Sequence, residues 1–455
     1  LRTKEAVQVK YELLDAKGVC VWTGEAASEG CTVSIKAEIE NVEHWTAETP
    51  YLYKLLMTVE KDGEVIEVIP QNVGFRNIRL NGDTFLVNGV AIKFKGMNRH
   101  DYNPRNGRVV AREEIEKDII LMKQFNVNAI RTCHYPDSYY LYDLCDEYGM
   151  YLLDETDLEC HGFELTGDYA WISDDPTWEP AYVTRMVRMI ERDKNHPSIL
   201  MWSLGNEVME GISGGVSNYP ATAQKLVNWV KELDATRPMT TGDNKLKANW
   251  SEAESIGNTL NAAGGTVGFN YCAGWQYDNW HKSHPEWLMY GSETASAINS
   301  RGIYNRINGG SQTSDKQLTS YDNSAVGWGS VASDAWYTTI TRDYLAGEYV
   351  WTGFDYIGEP TPWNGTGAGS VGSWPAPKNS YFGIVDTAGF AKDSYYFYQS
   401  QWNDQVHTLH VLPAWNENVV YKDNSGKVPV VVYSDAASVE LFFTPAGGER
   451  QSLGK

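Results

Sequence analysis

The chain has little that would suit it to nucleic acid, a bilayer or a disulfide framework. Lysine and arginine number 38 against 59 aspartate and glutamate, a net charge of 38 − 59 = −21, and they form no basic block. Such a surface repels phosphate backbones and anionic lipid. It excludes nucleic-acid and membrane-surface partners and suits a neutral substrate better than an anionic one. No apolar run is long enough to span a membrane. Six cysteines stand at 20, 31, 133, 145, 160 and 272, with no Cys-x-x-Cys pair and no zinc-knuckle spacing. They read as free thiols of a reducing, cytoplasmic compartment, with Cys20 and Cys31 placed so that they could bridge. No zincin HExxH, Walker loop or GxSxG elbow occurs. Gly367 to Gly372 spell GxGxxG, but in a loop with no strand before it and no helix after, so the dinucleotide reading fails. No signal peptide precedes Leu1, which opens in strand-like sequence, and the expectation is an N-terminal truncation.

Aromatic residues are plentiful: 17 Trp and 28 Tyr, suited either to a large core or to stacking on sugar rings. A length of 455 predicts two or three domains. Residues 1–79 alternate in period two over 6–14, 31–39, 52–60 and 64–75, which predicts an immunoglobulin-like β-sandwich. From 80 to 410 strands alternate with helices. Residues 112–125 carry Ile115, Ile119 and Met122 at helical spacing, and 138–149 close on Gly149. Eight strands begin near 92, 129, 151, 199, 239, 267, 288 and 348, the pattern of a (β/α)8 TIM barrel. A doubly wound sheet would want fewer strands and a glycine-rich first turn. Residues 411–455 return to β pattern and predict the start of a further sandwich. The expected fold is therefore multidomain, a central barrel flanked by all-β immunoglobulin-like domains.

Barrel enzymes gather chemistry at the C-terminal ends of their strands. There the sequence places Asn98 to Asp101, Arg131 to Tyr135, Asp154 and Glu155, Asn206 and Glu207, Asn270 and Tyr271, Glu293, and Trp351. The run Met201-Trp202-Ser203-Leu204-Gly205-Asn206-Glu207 is apolar until it stops in an amide and a carboxylate, which a structural strand does not need. Glu207 ends strand four and Glu293 strand seven, on opposite sides of the mouth. Two carboxylates so placed suit glycoside cleavage, one protonating the leaving oxygen and one attacking the anomeric carbon. Arg131 would keep the nucleophile charged, and the negative neighbour would raise the acid. Asp154 and Glu155 would support Arg131 or Arg99 from behind.

The segments 96–110, 128–136, 152–163, 192–207 and 290–296, with 44–53 and 73–80, resemble the β-galactosidases of glycoside hydrolase family two over nearly the whole chain. The resemblance implies a retaining exo-β-galactosidase with Glu207 as acid/base and Glu293 as covalent nucleophile. His100, Arg131, His134, Asn206, Tyr271 and Trp351 would line the sugar subsite, with Trp363 as a platform for the aglycone. Glu159, His161 and Glu207 are similar to the family's magnesium (Mg2+) site, and homo-oligomers are common in the family. Three features depart from it. Ser296 stands where a histidine is expected, residues 380–389 lack the sodium-ligand asparagine, and the sugar-binding sandwich that usually precedes the first domain is missing. Two rival readings remain at this point. One is a β-glucuronidase, which would carry an Asn-x-Lys signature, whereas Lys392 stands alone. The other is a non-catalytic carbohydrate-binding protein.

Overall fold

The computed structural model describes residues 6–161, 171, 175–208, 219–308, 315–359, 361, 379–416 and 419–455. The first segment forms a four-stranded antiparallel sheet from β1 (Gln8–Leu14), β2 (Cys20–Ala27), β3 (Tyr53–Lys61) and β4 (Glu64–Val73), in the order β2-β1-β3-β4. Alternation in β1 buries Val9, Tyr11 and Leu13 on one face. The strand expected over 31–39 does not form: that stretch has only the isolated bridge between Glu29 and Thr32. Its alternation reflects packing of Val33 and Ile35 side chains against the sheet, not a backbone ladder. The partner of β1 is instead β2, whose alternating pattern lies across Gly24.

Residues Ile78–Asn81 (β5), Thr84–Val87 (β6) and Val90–Ile92 (β7) make a small three-stranded sheet. Phe85 and Val87 from this sheet pack against Phe94 and the inward aromatics Tyr151, Tyr290 and Tyr349, and so plug the barrel floor. Trp45 lies in the same cluster, fully buried, with its indole N–H donating to the Asp146 carbonyl at 2.9 Å. A buried aromatic of this size removes ~200 Å² from water, about 5 kcal/mol at ~25 cal/mol per Å². Arg76 ties the first sheet to the barrel by donating to the carbonyls of Pro197 (2.6 Å) and Ile199 (2.9 Å).

The barrel is closed by β8 (Phe94–Arg99), β9 (Ala129–Thr132), β10 (Tyr151–Glu155), β11 (Ile199–Asn206), β12 (Met239–Asp243), β13 (Val267–Asn270), β14 (Met289–Ala295) and β15 (Leu345–Trp351). Each pairs in parallel with its sequence neighbour, and β15 closes on β8. Helices α1 (Arg112–Gln124), α2 (Tyr139–Tyr148), α3 (Glu179–Asp193), α4 (Tyr219–Leu233), α5 (Ser251–Ala262), α6 (Gly274–Ser283), α7 (Ala332–Ile340) and α8 (Asp393–Trp402) pack outside. Both faces of these strands are covered, so β11 is buried throughout and its mostly apolar sequence shows no period-two pattern. The fifth barrel strand, β12, is followed by α5. In α1 the three apolar positions Ile115, Ile119 and Met122 are the buried ones. Gly149 ends α2 with φ +76°, and a Cβ there would meet the Ala47 carbonyl at 2.4 Å. Residues 409–454 form two antiparallel pairs, β16 (Leu409–Leu412) with β17 (Val431–Ser434), and β18 (Leu441–Phe443) with β19 (Gln451–Gly454).

One barrel carboxyl sits apart from the rim. Glu348 of β15 is fully buried against α7, where the Thr339 hydroxyl donates to one of its oxygens at 3.0 Å. Burial pushes its pKa up to about 7. The folded state therefore holds this proton more tightly than the unfolded chain, whose value is near 4.5. The associated stability is complete below about pH 4.5 and is lost as pH rises through about 7. Glu348→Gln is expected to raise the free energy of urea unfolding at pH 8, by at most about 3 kcal/mol. The gain should shrink toward pH 5, and an equal shift at both pH values would refute this account.

Candidate active site

The polar strand ends converge on one buried network with Arg131 at its centre. Its guanidinium is fully buried on β9. Nε donates to Glu155 Oε2 (2.8 Å). Nη1 donates to Asn98 Oδ1 (3.0 Å), the Ser292 carbonyl (3.2 Å) and Glu293 Oε1 (2.9 Å), and Nη2 to Asn206 Oδ1 (2.7 Å). One cation thus links strands one, two, three, four and seven. Glu155 is fixed from the other side by the Ser203 hydroxyl (2.8 Å) and by His134 Nδ1 (2.7 Å). Burial disfavours its charge, but Arg131 and His134 outweigh that and hold it below the usual range. His134 stacks flat on Trp351, centroids 5.3 Å apart at 7°. Burial alone would keep His134 neutral, but Glu159, Glu155 and Glu293 lift it to about 9, so it is a cation at neutral pH.

Glu293 is 3% exposed and takes a second hydrogen bond, from the Tyr271 hydroxyl to Oε2 at 2.7 Å. Glu207 follows Gly205, whose φ of +145° brings its Cα against Leu158: a Cβ there would lie 2.8 Å from the Leu158 carbonyl. Glu207 itself adopts φ +44° and donates its N–H to the Gly242 carbonyl at 2.9 Å. Tyr271, at φ +58°, is also left-handed. Such backbone is held only where the surroundings over-determine it, and it clusters at functional sites. The Glu207 carboxylate is paired at both oxygens, Oε2 with His161 Nε2 (2.8 Å) and Oε1 with the Asn270 amide (2.7 Å).

The charge order of the two glutamates is not the one the strand ends suggested. Burial pushes Glu293 up, helped by Glu207, and Arg131 and His134 only partly offset it. Burial acts on Glu207 in the same sense, but the His161 and Asn270 hydrogen bonds outweigh it and hold Glu207 down. The two carboxyls titrate as a pair. The groups behind this order, His161 on a loop and Asn270 on another strand, could not be placed beside Glu207 from spacing alone.

Glu159, His161 and Glu207 bring three ligand atoms within 4.8 Å of one another. Glu159 Oε1 lies 3.2 Å from His161 Nε2, and its Oε2 accepts from the Asn206 amide at 3.1 Å. Burial raises Glu159 to about 7 against the pull of His134 and His161. Two carboxylates and one imidazole, partly open to water, fit a hard divalent ion that keeps several waters.

His100 lies nearby, but its Nδ1 pairs with the Tyr135 hydroxyl at 3.0 Å, and its ring rests against Tyr356 (4.5 Å) and Trp351 (5.4 Å). It forms aromatic wall and, among the described residues, bonds neither Glu207 nor Glu293. Trp363 lies outside the described residues. Of the two acids on strand three, only Glu155 supports an arginine. Asp154 takes the Tyr142 hydroxyl at 2.7 Å, while Arg99 is held by Asp118, Asp137 and Asp101. Asp154 and Glu155 are neighbours on a strand and point to opposite faces, so one enters the barrel and the other cannot. Asn98, Ser292 and Asn270 join the network with no sequence signal beyond their strand-end position.

A closed parallel barrel with glutamates ending its fourth and seventh strands, one of them sharing a buried arginine with the residue before the other, is the architecture of a glycoside-hydrolase barrel. Residues 78–382 match the glycosyl hydrolases family 2 TIM barrel domain and residues 2–76 match glycosyl hydrolases family 2, so the chain belongs to that family. It is 32% identical to beta-galactosidase BoGH2A of Bacteroides ovatus over 91% of its own length and 51% of that protein's. It is 43% identical to a beta-galactosidase of Halalkalibacterium halodurans over 46% of its length and 21% of that protein's. A beta-glycosidase structure from Bacteroides vulgatus superposes with TM-score 0.78 at 27% identity, covering 100% of this chain and 56% of that one. The chain spans about half the length of BoGH2A and the Bacteroides vulgatus protein. Among the described residues no two cysteines are bridged by a disulfide, and no helix is long and apolar enough to cross a membrane.

Proposed function

We propose that the chain carries the catalytic centre of a retaining exo-β-glycosidase that releases terminal β-D-galactose. The observation that carries this reading is the joining of Glu293 and Asn206, the neighbour of Glu207, through one buried guanidinium. In this reading Glu207 protonates the glycosidic oxygen while Glu293 attacks the anomeric carbon. Arg131, cationic His134 and the Tyr271 hydroxyl stabilise the carboxylate that attacks and later leaves. Glu207 then removes a proton from the incoming water, and the sugar departs with its original configuration. The Asn206 amide, which faces Glu159 and His134, is suited to a sugar hydroxyl, and Trp351, stacked on His134, supplies an aromatic wall.

A divalent ion, magnesium in the first instance, would sit on Glu159, His161 and Glu207 and hold the carboxylates in place. Chelation followed by Mg2+ addition is expected to lower and restore kcat/KM by about tenfold, as loss of supporting metal contacts does. Unchanged activity after chelation, together with no Mg2+ binding in calorimetry, would remove the ion from this account.

Galactose is favoured over glucuronic acid by what the nearby charges do. Lys392 is buried against Asp355 (2.7 Å) and the carbonyls of Asn299 (2.9 Å) and Tyr381 (3.3 Å), so it is not available to a substrate carboxylate. Glu359 accepts from the Tyr356 hydroxyl on the same aromatic wall; burial raises its pKa, and it lies close enough for Glu293 and His134 to act on it. A carboxylate there repels a uronate. Similar folds include an FMN-binding beta-glucuronidase, with TM-score 0.74 at 21% identity, which speaks to fold alone. The test is turnover of aryl β-galactoside against aryl β-glucuronide, with the product anomer read by proton NMR. Faster glucuronide cleavage, or an α-anomer as first product, would overturn this reading. Sugar binding without turnover of any aryl β-glycoside would favour a carbohydrate-binding protein.

A further inference from the structure

Asn270 is fully buried at the end of β13, and nothing in its sequence position assigns it a task. Its amide N–H2 donates to Glu207 Oε1 at 2.7 Å and to Asn206 Oδ1 at 3.0 Å. Its carbonyl oxygen accepts from the Ser292 hydroxyl at 2.6 Å. Ser292 is also fully buried and immediately precedes Glu293. The orientation of the amide is thereby fixed. Flipping it would set the carbonyl oxygen against two other oxygens, Glu207 Oε1 and Asn206 Oδ1, and leave the N–H2 facing a hydroxyl. Space is fixed as well: a Cβ on Gly242 would fall 3.2 Å from the Asn270 carbonyl oxygen and 2.6 Å from Asn206 Oδ1.

We propose that Asn270, oriented by Ser292, is a positioning residue that sets the direction in which Glu207 delivers its proton. The inference rests on the acid/base role of Glu207 proposed above. An amide N–H2 can only donate, so Oε1 cannot hold a proton toward Asn270; Oε2, 2.8 Å from His161 Nε2, faces a ring nitrogen that can also accept and is the oxygen left to carry the proton. Because the orienting hydroxyl belongs to the residue before the nucleophile, the strand that bears Glu293 also aims the acid. The alignment of the two glutamates is then passed by side-chain hydrogen bonds across the ends of β11, β13 and β14 and does not depend on the Glu207 loop alone.

A residue that aims an acid matters most when the leaving group needs protonation. Asn270→Ala and Ser292→Ala, in the full chain, are compared with wild type on phenyl β-galactoside and on 2,4-dinitrophenyl β-galactoside, whose leaving group departs with little help. Asn270→Ala is expected to lose about 10²-fold in kcat/KM on the phenyl substrate and less than about fivefold on the dinitrophenyl one. Ser292→Ala keeps the amide and is expected to show the same inequality at about tenfold. Thermal midpoints within a few degrees of wild type establish that each variant is folded; if Asn270→Ala is not, Ser292→Ala decides alone. Equal losses on both substrates would mean a merely structural role and overturn the inference while leaving the proposed reaction intact. A wild-type chain inert toward every aryl β-glycoside would overturn both.

Discussion

Glu293→Gln is expected to lower kcat on an activated aryl β-galactoside by at least about four powers of ten, roughly 5 kcal/mol of barrier at ~1.4 kcal/mol per tenfold. The side chain keeps its size, so Arg131 and Tyr271 lose a charge partner but not a neighbour. What disappears is the oxygen nucleophile, and no good leaving group compensates for that. Glu207→Gln should behave differently. It leaves attack on an activated substrate largely intact but slows release of the sugar from Glu293, and added azide should restore turnover by attacking in place of activated water. A Glu293→Gln enzyme that retains a tenth of wild-type kcat would end the assignment of this residue as nucleophile.

The second large effect is expected at Arg131. Arg131→Met removes the only side-chain cation bonded to Glu293 and Glu155 other than His134, among the described residues. Both carboxyls are buried, and breaking one partner out of a buried ion pair costs about 3–5 kcal/mol because the remaining charge is left without compensation. The thermal midpoint should fall by roughly 10 °C. In kcat/KM the loss should be about 10³-fold, since the bound carboxylates turn away or take up protons. Lysine is no substitute: one ammonium cannot span Glu155, Asn98, Glu293 and Asn206, which Arg131 reaches with three nitrogens on a planar fork. Wild-type kcat/KM in Arg131→Lys would show that a point charge suffices and that the fork geometry has no catalytic weight.

The electrostatics of the site illustrate how tertiary neighbours alter a reading made from strand ends. Arg131 was expected to keep Glu293 charged, and it does contact Glu293 at 2.9 Å. Burial of Glu293 is nevertheless the larger effect, and Glu207 adds to it. Glu207 meanwhile gains two donors from elements remote in sequence. The acid/base assignment rests on family membership and strand position, and the hydrogen bonds specify what must shift as proton and sugar change places.

Local pattern alone determined the barrel, the order of its strands and the strand-end location of the reactive groups. Buried parallel strands must be apolar, outer helices must show a 3.6-residue period, and a charged residue ending an apolar run is conspicuous. The same logic over-reached at 31–39, where alternation records one packed face and is silent on whether a neighbouring strand is there to pair. Only the tertiary structure decided that Glu155 enters the barrel while Asp154 turns to Tyr142, and that Asn270 and Ser292 join Glu207 to Glu293. Those outcomes depend on which pleat faces the axis and on how eight strand ends meet around it. Both are set by closure of the whole barrel, to which each strand contributes only its own few residues.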